Sequence, residues 1–349
     1  MTAVNFAIVG YGGMGSYHAT SLMVTEKEKI NLVGVYDILE SRREVAQTNG
    51  FKTYETLEEL LEDENVEAVL VATPNDTHKE LAIQAMQAGK NVLCEKPVAL
   101  NVAEFDDILA VAKETGKIFM VHQNRRWDPD FLIVRNLYKE KTIGDIFQIE
   151  SRVQGANGIP GDWRHLKKHG GGMLLDWGVH LLDQLLFLVE SPIQSMHVDF
   201  STVLGDEVDD GFITFITFEN GVKAIVEVGT TNYVKLPRWY IKGINGSARI
   251  DDWDLSGKIV RATNTNAQTP APIQAGVGLT KTMAPPSEDA TEELTFPEPV
   301  CDYEPFYANV YEVMHHGATP IVKNKEVRQV LSLIEDMFAL IKEKELTQV

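Results

Sequence analysis

Short apolar runs alternate with amphipathic segments through the first third of the chain. Residues 4–9 form an apolar run that stops at a glycine cluster, the pattern of a buried parallel strand. Residues 14–24 then suit a helix, 31–36 a second strand, and 41–49 a helix closed by Gly50. Thr56-Leu-Glu-Glu opens a further helix with a capping-box pattern. The rhythm continues as strand 66–72, helix 78–88 closed by Gly89, strand 91–94, helix 103–115 closed by Gly116, and strand 118–122. Strands and helices alternating in this way predict βαβ units and a parallel sheet.

After about residue 123 the texture changes. Residues 131–141 read as a helix and 146–153 as a strand. A glycine-rich stretch from Gly155 to Gly172 leads into a strongly apolar helix over 173–189. From 194 to 262 strands are punctuated by turns: Glu219-Asn220-Gly221 separates 212–218 from 222–228, and Asn245-Gly246 lies within 242–249. That predicts an antiparallel sheet. Residues 263–298, rich in Pro, Thr, Ala and acids, read as a long loop, and 303–317 and 325–345 as closing helices.

Length and composition narrow this picture. A chain of 349 residues exceeds one ordinary core and predicts two domains, 1–122 and 123–349. Its 44% apolar and 24% charged residues are those of a globular protein. A net charge of −19 argues against nucleic acid or an anionic membrane as partner. It leaves room for a dinucleotide, which needs only a local positive field at a helix N-terminus. Cys94 and Cys301 cannot build a disulfide framework and fit a reducing compartment. No basic segment precedes a long apolar run and no stretch approaches a membrane span, so the expected location is cytoplasmic.

Gly10-Tyr-Gly12-Gly13-Met14-Gly15 supplies the first candidate chemistry. It is G-x-G-x-x-G placed between a strand and a helix inside a βαβ unit. Gly10 permits the tight turn, Gly12 lets backbone N–H groups approach a pyrophosphate, and Gly15 allows close helix–strand packing. Asp37 lies at the end of the second strand, where a carboxylate accepts hydrogen bonds from ribose hydroxyls. The expected fold is an α/β Rossmann domain followed by an α+β domain with a large, mainly antiparallel open sheet. Asp37 would repel a 2′-phosphate, which favours NAD; Arg42 and Arg43 nearby leave NADP open. Thr73-Pro74-Asn75 and Glu95-Lys96-Pro97 end strands on the same ligand-binding rim.

A lysine on that rim can polarise a substrate oxygen. The second cluster is Asp176-Trp-Gly-Val-His180-Leu-Leu-Asp183, at the start of the apolar helix. Spacings of four and three place Asp176, His180 and Asp183 on one helical face. Charged groups on a buried helix must be paired or line a polar cavity. An imidazole beside a carboxylate is a natural proton acceptor. A structural core histidine, a metal site and a helix-capping acid compete with that reading. No metal is expected: no second histidine has ligand spacing, and the adjacent His315 and His316 face different ways on a helix.

The glycine loop, Glu95-Lys96-Pro97, Asn124-Arg-Arg-Trp-Asp-Pro129 and Gly170-Gly-Gly-Met-Leu-Leu-Asp176-Trp-Gly-Val-His180-Leu-Leu-Asp183 together resemble the glucose–fructose oxidoreductase / inositol dehydrogenase / MocA family. Trp239-Tyr-Ile-Lys-Gly243-Ile-Asn-Gly246 resembles its sheet hairpin. The resemblance spans nearly the whole chain and implies homodimers or homotetramers assembled through the second-domain sheet. It implies a catalytic set of Lys96, Asp176 and His180, with His180 favouring the sugar or polyol dehydrogenase branch. Asn124, Arg126, Trp163 and Arg164 match positions lining the cofactor or substrate cleft.

The cofactor residues expected are thus Gly10, Gly12, Gly13, Met14, Gly15, Asp37, Arg42, Thr73, Pro74, Asn75, His78, Glu95, Lys96 and Asn124. Those expected at the substrate are Lys96, Arg126, Trp163, Arg164, Asp176, His180 and Asp183. The reaction implied is NAD-dependent oxidation of a secondary alcohol on a sugar, inositol or related polyol. His180 would take the hydroxyl proton, Asp176 orient the imidazole, and Lys96 stabilise the alkoxide. Asp183 would bind a substrate hydroxyl or support the site. Two alternatives share the scaffold: an NAD-dependent glycoside hydrolase, and a non-catalytic sugar sensor that binds dinucleotide.

Overall fold

The computed structural model describes residues 2–263, 271–284 and 290–347. Strand β1 (Val4–Val9) runs into α1 (Gly13–Tyr17), a π turn (His18–Leu22) and α2 (Met23–Thr25). Next come β2 (Ile30–Tyr36), α3 (Glu40–Thr48), α4 (Leu57–Glu62) and β3 (Ala68–Val71). α5 (His78–Gln87), β4 (Asn91–Glu95), α6 (Val102–Thr115) and β5 (Phe119–His122) complete the first half. The five strands form one parallel sheet in the order β2-β1-β3-β4-β5. Helices on both faces leave strands such as Ala-Val-Leu-Val of β3 wholly buried, which is why they read as unbroken apolar runs. Strand order reverses between β1 and β3, and a crevice opens there outside the strands' carboxyl ends.

The second half begins with α7 (Pro129–Glu140), β6 (Ile146–Gln154) and α8 (Val179–Leu188). Six strands follow: β7 (Ile193–Ser201), β8 (Gly211–Phe218), β9 (Lys223–Gly229), β10 (Trp239–Gly243), β11 (Gly246–Ile250) and β12 (Gly257–Ala262). After them come β13 (Ile273–Ala275), β14 (Gly278–Thr280), β15 (Thr291–Leu294), α9 (Phe306–His316) and α10 (Asn324–Thr347). An eight-stranded sheet runs β15-β12-β11-β10-β6-β9-β8-β7. It is antiparallel throughout except where β6 lies parallel to β9. The connection from β6 back to its neighbour passes through α8, and a crossover of that length permits parallel pairing. One face of the sheet packs on Leu181, Leu182, Leu185 and residues of α7 and α10.

Two expectations change. The stretch 263–298 is not one loop: β13 and β14 form a hairpin, and β15 joins β12 as the sheet's edge. Residues 264–270 and 285–289 of that stretch lie outside the described residues. The division at 122/123 is also crossed by the chain's end. Phe306, Tyr307, Val310, Val327 and Leu331 belong to the core of the first domain, so the C-terminal segment returns to it. Among the described residues no helix is long and apolar enough to cross a membrane.

Candidate active site

The glycine loop is built as its spacing requires. Gly10 has φ +95°, and a Cβ there would lie 2.6 Å from the Ala72 carbonyl oxygen. At Gly15 a Cβ would lie 1.9 Å from the carbonyl oxygen of Gly10, so this helix can pack on the turn only without a side chain. At Gly12 and Gly13 a Cβ would meet nothing within 4 Å. No side chain caps the helix that begins there. The loop therefore offers free backbone N–H groups beneath open space, the cradle a pyrophosphate occupies. Asp37 closes it: one carboxylate oxygen accepts the Tyr11 N–H at 2.7 Å and the other the Leu39 N–H at 2.9 Å. Arg42 is exposed on α3, whereas Arg43 donates to the Asp37 carbonyl at 2.8 Å and pairs with Glu55.

The neighbouring rim is stitched from behind. Asn75 donates to the Gly170 carbonyl at 3.0 Å, tying the first domain to the glycine-rich stretch of the second. Two residues expected at the cofactor lie behind the rim instead. His78 is fully buried, with its ring nitrogens 2.9 Å from the carbonyl oxygens of Thr73 and Pro97. It sits beneath both rim loops, and its neutral ring, with a single N–H, donates to one of the two carbonyls. Glu95 is 4% exposed, and its oxygens are taken by His18, His122 and the Lys96 N–H. A side chain alternating inward at the end of a buried strand cannot also face the crevice.

Lys96 and Asp176 do meet. The ammonium donates to the Asp176 carbonyl at 2.9 Å and lies 3.4 Å from its carboxylate. That carboxylate also faces the Arg164 Nε at 3.3 Å, and Arg164 lies over the Trp163 ring. The expected Asp176–His180 hydrogen bond is not formed. A π turn at Leu174–Gly178 interrupts the helix just there, and its extra residue per turn removes the four-residue alignment. Asp209 holds the turn's start, accepting the Leu174 N–H at 2.8 Å; burial pushes its carboxyl up to about 7.

His180 is 4% exposed, and its Nδ1 is buried without a partner. Its ring lies edge-on to Trp177, 6.0 Å between centroids. Burial first, then the positive charges of Lys96 and Arg125, push the imidazole well below the usual histidine range. The ring is therefore neutral at pH 7, as a proton acceptor must be. The carbonyl-type oxygens of Gln123 and Asn124 are likewise buried without partners, a polar demand that a bound molecule or water would meet.

Arg126 and Asp183 leave the substrate set. Arg126 is 1% exposed and grips Asp183 bidentately at 2.6 and 2.8 Å. It also bonds Glu326 on α10 at 2.8 Å, so this is a buried ion pair locking α8 to the C-terminal helix. The neighbouring Arg125, not singled out in the sequence, turns the other way. Its guanidinium lies 4.2 Å from the Trp177 ring and 5.2 Å from that of Trp253, which is 45% exposed. Alternation of two adjacent arginines in one motif was the available signal. Nothing in the local sequence marks Trp253, His18, His122 or Tyr307.

Residues 4–123 match the oxidoreductase family with an NAD-binding Rossmann fold, and residues 131–249 the GFO/IDH/MocA C-terminal domain. The chain is 58% identical to an NAD-binding protein from Listeria innocua, with TM-score 0.93 and 97% of each chain covered. It is 32% identical over 238 residues to the scyllo-inositol 2-dehydrogenase (NAD(+)) of Bacillus subtilis, covering 66% of this chain and 68% of that one. It is 28% identical over 347 residues to the scyllo-inositol 2-dehydrogenase (NADP(+)) of the same organism, covering 98% and 94%.

Proposed function

The chain belongs to the Gfo/Idh/MocA oxidoreductase family, and from that premise we propose that it oxidises a secondary alcohol of a sugar, inositol or related polyol. One observation carries the reading: the buried, neutral His180, with an unpartnered Nδ1, lies in the positive field of Lys96 and Arg125. In this reading the His180 imidazole accepts the hydroxyl proton. Lys96 uses two contacts on Asp176, and its remaining N–H is free to steady the developing alkoxide. When bound, the dinucleotide supplies a nicotinamide ring as hydride acceptor. Gly10, Gly12, Gly13, Met14, Gly15 and Asp37 hold it, with Thr73, Pro74 and Asn75 on the adjoining rim. Trp163, Arg164, Arg125, Trp177 and Trp253 line the approach, a mixture of aromatic faces and donors suited to a hydroxylated ring.

The two inositol dehydrogenase relatives divide between NAD(+) and NADP(+), so the preference for NAD rests on Asp37, whose charge opposes a 2′-phosphate. The free thiols of Cys94 and Cys301 suit the cytoplasm. Assembly into homodimers or homotetramers would use the sheet's outer face, where Ile213, Phe215, Ile225 and Tyr240 alternate with core residues. A monomer by light scattering at micromolar concentration would overturn that assembly.

The decisive assay is a panel of sugars and inositols with NAD and then NADP, followed by reduced-nicotinamide absorbance. Net reduction with a polyol is expected. Turnover of a glycoside without net reduction, or binding of dinucleotide with no turnover of any kind, would overturn the dehydrogenase reading.

A further inference from the structure

Behind the rim, side chains from four separate elements close into one hydrogen-bonded chain. Tyr307 Oη on α9 lies 2.5 Å from Nδ1 of His18 in the first π turn. His18 Nε2 lies 2.7 Å from Oε1 of Glu95, at the end of β4. His122 Nδ1, at the end of β5, reaches the same oxygen at 2.7 Å. The other Glu95 oxygen accepts the backbone N–H of Lys96 at 3.1 Å. All four side chains are buried, the most exposed at 4%.

Chemistry dictates where the protons lie. An ionised carboxylate only accepts, so both histidines donate to Glu95. His18 then carries its proton on Nε2, and its bare Nδ1 accepts from the Tyr307 hydroxyl. The electrostatics agree. Burial pushes His18 below its usual value, against the pull of Glu95, and a second proton is disfavoured. Burial, with Glu95 nearby, pushes the Tyr307 phenol well up and keeps it a donor. Burial would raise Glu95, but the charge and hydrogen bond of His122 and the hydrogen bond of His18 outweigh it and keep the carboxyl well below its usual range. The same three residues, His18, Glu95 and His122, are of metal-ligand type. Their contacts have hydrogen-bond lengths, and the Glu95 carboxylate is satisfied by the two imidazoles and the Lys96 N–H without an ion.

We propose that the Tyr307–His18–Glu95–His122 chain is a positioning device for Lys96, pinning the Glu95 carboxylate onto the Lys96 backbone so that the ammonium stays against Asp176. It also sets the Glu95 carboxylate where its charge opposes the field of Lys96 and Arg125 at His180, with His122 acting on the side of the two cations. The other titratable groups in the field of Glu95 are Cys94 and His78. The segment that returns from the C-terminus to the first core is thus part of the site's support. The consequence for turnover rests on the dehydrogenase reading; the placement of Lys96 does not.

The test compares the full-length protein with Tyr307→Phe, which deletes only the hydroxyl, and with Glu95→Gln. Melting temperature and NADH affinity establish that each variant is folded. Trace acylation of Lys96, read by mass spectrometry, reports how firmly its ammonium is held. Nitrogen-15 NMR of labelled histidines reports the His18 tautomer. We expect a neutral His18 protonated on Nε2 in the wild type, and a changed ring signal in Tyr307→Phe. Lys96 acylation should rise about fivefold or more in Glu95→Gln. With a substrate in hand, kcat should fall about 10²-fold in Glu95→Gln, since misplacement by about 1 Å has that cost. The acid limb of its pH profile should move to lower pH because His180 has lost a nearby anion. Unchanged Lys96 acylation in both folded variants would overturn the proposal, as would a stoichiometric metal ion bound to the two histidines. A protein that oxidises no polyol defeats the functional reading alone, because the acylation and NMR readouts still decide this one.

Discussion

The ammonium of Lys96 lies 2.9 Å from the main-chain carbonyl oxygen of Asp176 and 3.4 Å from its carboxylate. This contact crosses the domains, from the end of β4 to the π turn before α8, and fixes a cation whose charge acts on His180 together with that of Arg125. Lys96→Met keeps the stem and removes the charge. The expected loss in kcat is about 10²–10⁴-fold, with NADH affinity changed less than about threefold. Steady-state kinetics and a fluorescence titration check the two halves. Turnover within tenfold of wild type would remove Lys96 from the mechanism.

Arg126 and Asp183 make the contrasting prediction. Their bidentate pair is almost wholly enclosed, so removing one partner strands a buried charge. Asp183→Asn should cost about 3–5 kcal/mol in urea unfolding and leave the KM of the properly folded fraction unchanged. A raised KM with undiminished stability would return the pair to the substrate cleft.

These two residues show what the sequence can and cannot carry. The parallel sheet is legible because buried strands read as apolar runs and Gly50, Gly89 and Gly116 follow the ends of helices. The glycine fingerprint was legible because Gly10 and Gly15 answer local steric demands. The set Asp176, His180 and Asp183 was read from α-helical spacing, and a π turn is invisible to that rule. Asp176 consequently faces Lys96 rather than His180, whereas Asp183, inside the regular α8, is taken up by Arg126 from a distant segment. The sequence groups Glu95 and His78 with the cofactor because their loops are on the rim. Which side of a rim a side chain takes depends on partners far away in sequence, such as Tyr307 for the Glu95 network. The edge strand β15 escaped notice because Thr-Glu-Glu-Leu has too little apolar pattern to announce itself.

Asp37 governs cofactor choice in a testable way. Its oxygens are held by the N–H groups of Tyr11 and Leu39, so the charge is fixed at the end of β2 rather than free to swing aside. Asp37→Ser should lower kcat/KM with NAD about tenfold, equivalent to ~1.4 kcal/mol, and raise it with NADP. An unchanged ratio of the two would mean that Asp37 does not face the ribose.

Trp253 offers a probe of the substrate side. It is half exposed, shares Arg125 with Trp177, and contacts Arg238 through its ring face. Trp253→Ala should raise substrate KM about tenfold, within the range of a stacking or cation–π contact, and leave cofactor KM alone. Equal changes in both would point to a general loosening of the loop.

The pH dependence of stability follows from four buried groups with opposite signs. Burial is the first cause that pushes His18, His78 and His180 below the ordinary 6.5, joined by His122 at His18 and by Lys96 and Arg125 at His180. The unfolded chain therefore binds protons at these positions that the fold refuses. Stability falls as pH drops below 6.5, by up to ~1.4 kcal/mol per pH unit for each histidine. Asp209 acts the other way. Burial raises its carboxyl from 3.8 to about 7, so the fold keeps a proton that the unfolded chain has already lost. Its contribution is complete below 3.8 and disappears as pH rises to about 7. Just below 6.5 the three histidines outweigh the opposing acid, and melting temperature should rise with pH. Above 6.5 the histidines no longer contribute, and Asp209 alone produces a decline that ends near 7. Asp209→Asn retains an acceptor for the Leu174 N–H and removes the opposing term. Its melting curve should rise more steeply than wild type up to 6.5 and then stay level. A set of thermal melts at half-unit pH steps distinguishes these shapes, and a variant that follows the wild-type curve throughout would show that Asp209 is ionised in the fold.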